Sequence, residues 1–184
     1  MRLPVLVLAC CATLAIGIAL PAADIDGVRF ADQLLVAETP LPLHGMAVMT
    51  WKLIISVHAS ALWLPAGQKD PLADVPKAFE LHYFHGISAA DFRTATEESL
   101  TRSVGATTVA TLRARIDRFN ALYQDITSGQ RYRLTYRPGI GTELAKDGTV
   151  LGTIEGADFA AALFGIWLGP SAIDSGFRDR VLGK

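Results

Sequence analysis

Residues 41–64 read LPLHGMAVMTWKLIISVHASALWL, and this stretch decides the fold. From Trp51 onward it alternates. Trp51, Leu53, Ile55, Val57, Ala59, Ala61 and Trp63 share one face, and Lys52, Ile54, Ser56, His58, Ser60, Leu62 and Leu64 share the other. The pattern predicts a long central β-strand. A surface strand would carry charges along its second face, and a doubly buried one would carry no polar groups. This second face mixes Lys52, two serines and a histidine with aliphatic side chains, as the wall of a partly apolar, hydrogen-bonding cleft would.

The flanking sequence extends the β pattern. Residues 27–30 predict a short first strand, Glu38-Thr39-Pro40 a turn, Pro42 excludes an early central-strand position, and residues 43–48 lead into the long run. Pro65-Ala66-Gly67 ends the long run, and residues 78–85 form the next strand with Phe79, Leu81 and Tyr83 on one face. Ser88 and Asp91 then open a helix in a capping-box-like arrangement, reaching to about Arg102. Val109, Leu112, Ile116, Phe119, Tyr123 and Ile126 recur at helical spacing and predict a second, amphipathic helix over 107–126.

Strands return with Tyr132, Leu134 and Tyr136 alternating against Arg131, Arg133, Thr135 and Arg137, so this strand has one wet face. Asp147-Gly148 between residues 143–146 and 149–154 is a strong two-residue hairpin signal. An apolar helix follows over 158–168, and Asp174 caps a final one. Strands, two helices, a hairpin sheet and two more helices make an α+β protein with an antiparallel sheet.

At 184 residues the chain suits one domain, and its composition excludes some roles. Residues 1–23 read as a signal peptide: Arg2 supplies the positive start, residues 3–20 are almost wholly apolar, and Pro21-Ala22-Ala23 offers small residues for cleavage. The apolar run is long enough to span a bilayer, but Asp24 and Asp26 follow at once, so no stable membrane span is expected after cleavage. The remaining domain, 24–184, would lie in the periplasm or be secreted. Losing Arg2 takes Lys+Arg from 17 to 16 against 18 acids, a balance that speaks against nucleic acid as partner. Cys10 and Cys11 are the only cysteines and both fall in the leader, so the domain has no disulfide, thiol nucleophile or cysteine metal site.

An ordered set of short motifs resembles the bacterial chalcone isomerase-like proteins. It comprises Gly27-Val28 with Phe30, the Leu43-His44-Gly45 turn, and Val57-His58-Ala59 leading to Ala61-Leu62-Trp63-Leu64. Then come Tyr136 with Pro138-Gly139 and Gly141-Thr142, Gly148, Ile154 with Gly156 and Asp158-Phe159, and Gly165-Ile166-Trp167-Leu168-Gly169. The resemblance spans nearly the whole domain. It implies an open-faced β-sandwich, in which a large antiparallel sheet packs against a layer of helices with a ligand cleft between them.

Activity does not follow from the fold. In the family's enzymes a strand arginine holds developing oxyanion charge, and such a fixed cation is worth several powers of ten in rate. By the resemblance that arginine falls here on Met49 or Thr50, and the nearest cation is Lys52. The strand threonine or tyrosine falls on His58, the first-helix tyrosine and asparagine on Phe92 and Ser99, and the late-helix hydroxyl near Ile166. Few polar groups of the cyclisation are in place, so the chain is not read as a true chalcone isomerase.

His58 is the sharpest single candidate. It would act as a general base or a donor to a carboxylate, or else fill a tyrosine-sized slot and bond Ser56 or Ser60. Lys52, six residues away on the same predicted face, would bracket an elongated ligand with it or would snorkel at the sheet edge. His82 and His85 face opposite sides of a strand and cannot jointly bind a metal; no metal or cofactor is expected. Met49, Thr50, Lys52, His58, Phe92, Ser99 and Ile166 are therefore the candidate ligand-binding residues, with His58 the one catalytic candidate. The preferred expectation is an exported non-catalytic protein that binds a small apolar molecule such as a fatty acid. The alternatives are an isomerase or lyase using His58 as base, and a structural or partner-binding envelope protein with a vestigial cleft.

Overall fold

The computed structural model describes residues 22–51 and 54–184. Among the described residues nine strands and three helices follow in order. They are β1 (Ala22–Ile25), β2 (Val28–Ala31), β3 (Gln33–Val36), β4 (Thr39–Trp51), β5 (Ile55–Trp63), β6 (Lys77–Tyr83), α1 (Ala89–Asn120), β7 (Arg131–Arg137), β8 (Gly141–Lys146), β9 (Thr149–Ile154), α2 (Ala157–Leu168) and α3 (Ser175–Val181). Strands β3 to β9 form one seven-stranded antiparallel sheet in chain order, and β1 and β2 form a separate hairpin. The expected α+β sheet-and-helix architecture is the one observed. The expected leader lies outside the described residues except for Ala22 and Ala23, which begin β1.

The decisive stretch is a hairpin and not one long strand. β4 runs up to Trp51 and β5 returns from Ile55, which sets Met49 opposite His58. The reversal contains no Gly, Pro, Asn or Asp, so nothing in its composition separated it from a continuing apolar strand. Lys52 and Leu53 lie outside the described residues. Within β5 the predicted alternation holds from His58 onward: Ala59, Ala61 and Trp63 enter one core cluster, while Leu62 and Leu64 enter the other. Below His58 the register slips, since Met49 pairs with His58 but Thr50 with Ser56. Val57 is the extra residue of this bulge and packs on the same side as Leu62.

Two further expectations are corrected. The turn falls at Ala37 and Glu38, both at positive φ, so Thr39 and Pro40 already belong to β4. Both Pro40 and Pro42 sit where β4 pairs with β3, before its ladder with β5 begins at Leu43. Leu43-His44-Gly45 is a bulge inside β4, with His44 as the extra residue, and the chain does not reverse there. Gly45 is required because α3 crosses at this point: a Cβ would stand 2.2 Å from the Val181 carbonyl oxygen.

Helix α1 starts as the sequence indicates. The Ser88 hydroxyl accepts from the Asp91 N–H at 3.1 Å. The helix breaks at Gly105 (φ 80°, ψ 160°), which corresponds to the two helices expected there. Beyond the break the helix ends at Asn120 and not Ile126. Ile126 leaves the helical path to pair with Ile87, closing the base of the whole excursion. An ion pair of Arg113 with Glu97, and Asn120 donating to the same carboxylate at 2.8 Å, tie the two halves together.

The sheet has two covered faces. On one, Phe79, Leu81, Tyr132, Leu134 and Leu144 pack against α1, α2 and α3. On the other, Trp63, Ala59 and Ala61 pack under the β1–β2 hairpin, where Phe30 meets Trp63 edge-on and the Trp63 indole donates to the Ala31 carbonyl at 2.8 Å. The wet face of β7 is partly roofed by the same hairpin: Arg131 pairs with Glu80 at 2.6 Å and lies over the Phe30 ring. Lys77 is buried on the helix side, donating to the carbonyls of Pro71 (2.7 Å) and Ala73 (2.6 Å). Burial lowers its pKa to about 8 against the opposing pull of Asp70 and Asp74.

Candidate functional site

Between the inner face of the sheet and α1 lies a cavity of about 350 Å³. Its walls come from the strands: Met49 and Thr50 from β4, His58 from β5, Tyr83 from β6, Tyr132 and Leu134 from β7. Its roof comes from the first half of α1, through Phe92, Thr96 and Ser99 at helical spacing, and from Tyr123 just past the end of that helix. Ile166 and Trp167 of α2 close one side, and Ile173 and Asp174, ahead of α3, border it as well.

Six of the seven candidate binding residues, Met49, Thr50, His58, Phe92, Ser99 and Ile166, thus line one cavity. The seventh, Lys52, lies outside the described residues. The expectation that Lys52 and His58 sit along one extended strand fails with that strand, because the chain reverses between them.

His58 is buried, with its ring edge-on to Tyr83 (5.5 Å) and Phe177 (5.6 Å). Its Nδ1 is 2.8 Å from the Ser60 hydroxyl, the bond expected for a histidine that fills a slot in the sheet. Burial lowers its pKa to about 3. The ring is therefore neutral at physiological pH. A general base works best with a pKa near the operating pH, and a neutral imidazole provides no charge to pair with a carboxylate.

Sequence reasoning set Tyr83, Tyr123 and Tyr132 on the apolar faces of their elements but missed them as part of the site. Phe92 stacks on Tyr123 at 5.2 Å and meets Tyr83 and Tyr132 edge-on. The Tyr123 hydroxyl and Thr96 Oγ1 are 2.9 Å apart. The Tyr132 hydroxyl donates to the Gln124 carbonyl at 2.7 Å and accepts from the Gln124 N–H at 2.8 Å. Among the described residues the Tyr83 hydroxyl has no such partner. Burial raises the pKa of all three, so they remain neutral phenols. The signal was present in the sequence: tyrosines at inward positions of adjacent strands bring hydroxyls into an apolar layer.

Among the described residues the cavity lining contains no Lys or Arg, and its charged members are Asp91 and Asp174. Both were recognised only as helix-start residues. Asp91 accepts from the Ser88 hydroxyl at 2.7 Å, and Asp174 caps α3 by accepting from the Phe177 N–H at 2.7 Å. No group of three His, Cys, Asp or Glu is placed to hold a metal among the described residues. His82 packs edge-on to Phe84 and is not part of the cavity lining.

A single antiparallel sheet with helices over one face and an apolar cavity beneath them defines the chalcone isomerase fold. The chain belongs to the chalcone isomerase-like family, whose family model matches residues 22–183. No curated protein matches it in sequence. Among solved structures it is similar to a fatty-acid binding protein of Arabidopsis thaliana, with a TM-score of 0.67 and 16% identity. That likeness covers 88% of this chain and 96% of the plant protein. At such identity it speaks for the fold alone. The cavity lies between sheet and helices, where the resemblance implied a cleft, and Met49 and Thr50 are among its lining residues.

Proposed function

We propose that the chain is an exported, non-catalytic binding protein that holds a small, mostly apolar molecule, a fatty acid or similar single-chain lipid, between the sheet and α1. The observation that carries this reading is the open cavity itself. Met49, Phe92 and Ile166 border a space of about 350 Å³ and do not fill it, which favours a binding site over a vestigial cleft. Apolar walls with a few placed polar groups are the usual form of small-molecule sites. The plant protein's fatty-acid binding is a precedent for such a ligand on this fold.

The isomerase or lyase alternative loses support at His58, whose Nδ1 is engaged by Ser60 and whose basicity is suppressed by burial. Export rests on residues 1–23, and places the protein in the periplasm or outside the cell. Mass spectrometry of small molecules extracted from the natively purified protein tests the binding reading. A co-purifying lipid is expected. An empty protein whose melting temperature no single-chain lipid raises would end it. Amino-terminal sequencing of the protein recovered from cell fractions tests export, with a start near Ala23 or Asp24 expected.

A further inference from the structure

We propose that the cavity selects single-chain amphiphiles with an uncharged, hydrogen-bonding head, such as an alcohol, ester or amide, over the ionised carboxylate of the same chain length. This rests on the binding reading above and narrows it: among the single-chain lipids named there it ranks the ionised fatty acid below its neutral-headed counterparts.

Three observations converge. First, the charge that borders the cavity among the described residues is negative: exposed Asp91 on α1 and half-buried Asp174 ahead of α3. An ionised head near either meets repulsion. Second, helix amino-terminal ends, which ordinarily welcome anions, are already served here. Ser88 accepts from the Asp91 N–H at the start of α1, and Asp174 accepts from the Phe177 N–H at the start of α3. Third, the polar groups inside are neutral hydroxyls and a neutral imidazole. Thr96 and Tyr123 bond each other, His58 is tied to Ser60, and Tyr83 has a hydroxyl free among the described residues. A hydroxyl satisfies a neutral head well. It does not offset the cost of burying an unpaired carboxylate, which far exceeds that of burying a neutral polar group.

The size of the space sets the probe. At liquid water's volume of about 30 Å³ per molecule, 350 Å³ holds roughly a dozen non-hydrogen atoms. Decan-1-ol and decanoate fit that limit and differ at the head alone. Trp167 lines the cavity and reports occupancy through its fluorescence.

The test is a titration of the natively purified protein with each probe at pH 7.5, repeated with Lys52→Ala and with the double variant Asp91→Asn, Asp174→Asn. Decanol is expected to bind at least about tenfold more tightly than decanoate, a difference of about 1.4 kcal/mol. The double variant is expected to narrow that ratio, because it removes the repulsion and keeps asparagine, a good capping residue, at position 174. Decanoate binding as tightly as decanol to the unmodified protein overturns the proposal, and its loss in Lys52→Ala would then identify the cation that holds it. Failure of both probes to bind overturns the binding reading itself. The two failures are thus separate results.

Discussion

Replacing His58 by asparagine turns its burial into a measurable pH effect. Asparagine keeps a polar atom near the position of Nδ1, so the contact to Ser60 is retained, and it does not titrate. In the wild type the folded state holds His58 at a pKa of about 3 against 6.5 for an ordinary histidine. Between those values the unfolded chain binds a proton that the folded protein refuses. Stability therefore falls as pH drops from 6.5 toward 3. For one such group the loss is about 0.2 kcal/mol at pH 7 and about 2 kcal/mol at pH 5. The variant loses ring contacts with Tyr83 and Phe177, which gives a constant offset. The readout is therefore how the stability gap between the two proteins changes with pH. Urea unfolding of both at pH 7, 6 and 5 should show the gap shifting by about 2 kcal/mol in favour of the variant at the acid end. Carboxylates common to both proteins cancel. A gap constant to within about 0.5 kcal/mol would refute the argument and return His58 to the residues able to charge near neutral pH.

Other perturbations probe the packing around the cavity. Ser99→Leu places an isobutyl group from the roof into the cavity, and should abolish decanol-induced change in Trp167 fluorescence without lowering the melting temperature. Gly45→Ala sets a Cβ 2.2 Å from the Val181 carbonyl oxygen, so α3 must shift. A loss of about 1–3 kcal/mol in urea unfolding is expected, as for other overpacked sites. Lys77→Met removes a buried ammonium whose pKa is lowered to about 8 from 10.5. The unfolded wild type binds the extra proton between those values, so wild-type stability should gain on the variant by about 2 kcal/mol from pH 7.5 to pH 9.5 in the same assay. Ser88→Ala should cost about 1 kcal/mol, with the helical circular-dichroism signal retained below the transition.

Most of the scaffold was legible because its elements carry period and punctuation together. Tyr132, Leu134 and Tyr136 alternate against three arginines, Asp147-Gly148 marks a tight hairpin, and Ser88 and Asp174 mark helix starts that the structure reproduces. The errors fall where local pattern and tertiary path diverge. Residues 51–55 carry strand-like composition through a reversal, and Ile126 continues a helical spacing that the backbone abandons in order to pair with Ile87. The cavity was half legible. Positions on the inward face of a strand or helix, such as His58 and Phe92, follow from periodicity and the family pattern. The two aspartates do not, because a capping residue shows its local role in the sequence and hides what it faces across the fold.

The pairing of Ile87 with Ile126 also separates two properties that are usually entangled. β6 and β7 are adjacent in the sheet, and all of α1 is inserted between them as an excursion pinched shut at its base. Much of the roof hangs from that insertion, whereas β6 and β7 pair directly with each other. The cavity is in that sense built from two separate parts. The segment from Ser88 to Asp125 supplies Phe92, Thr96, Ser99 and Tyr123 to the roof, and the strands supply the facing wall.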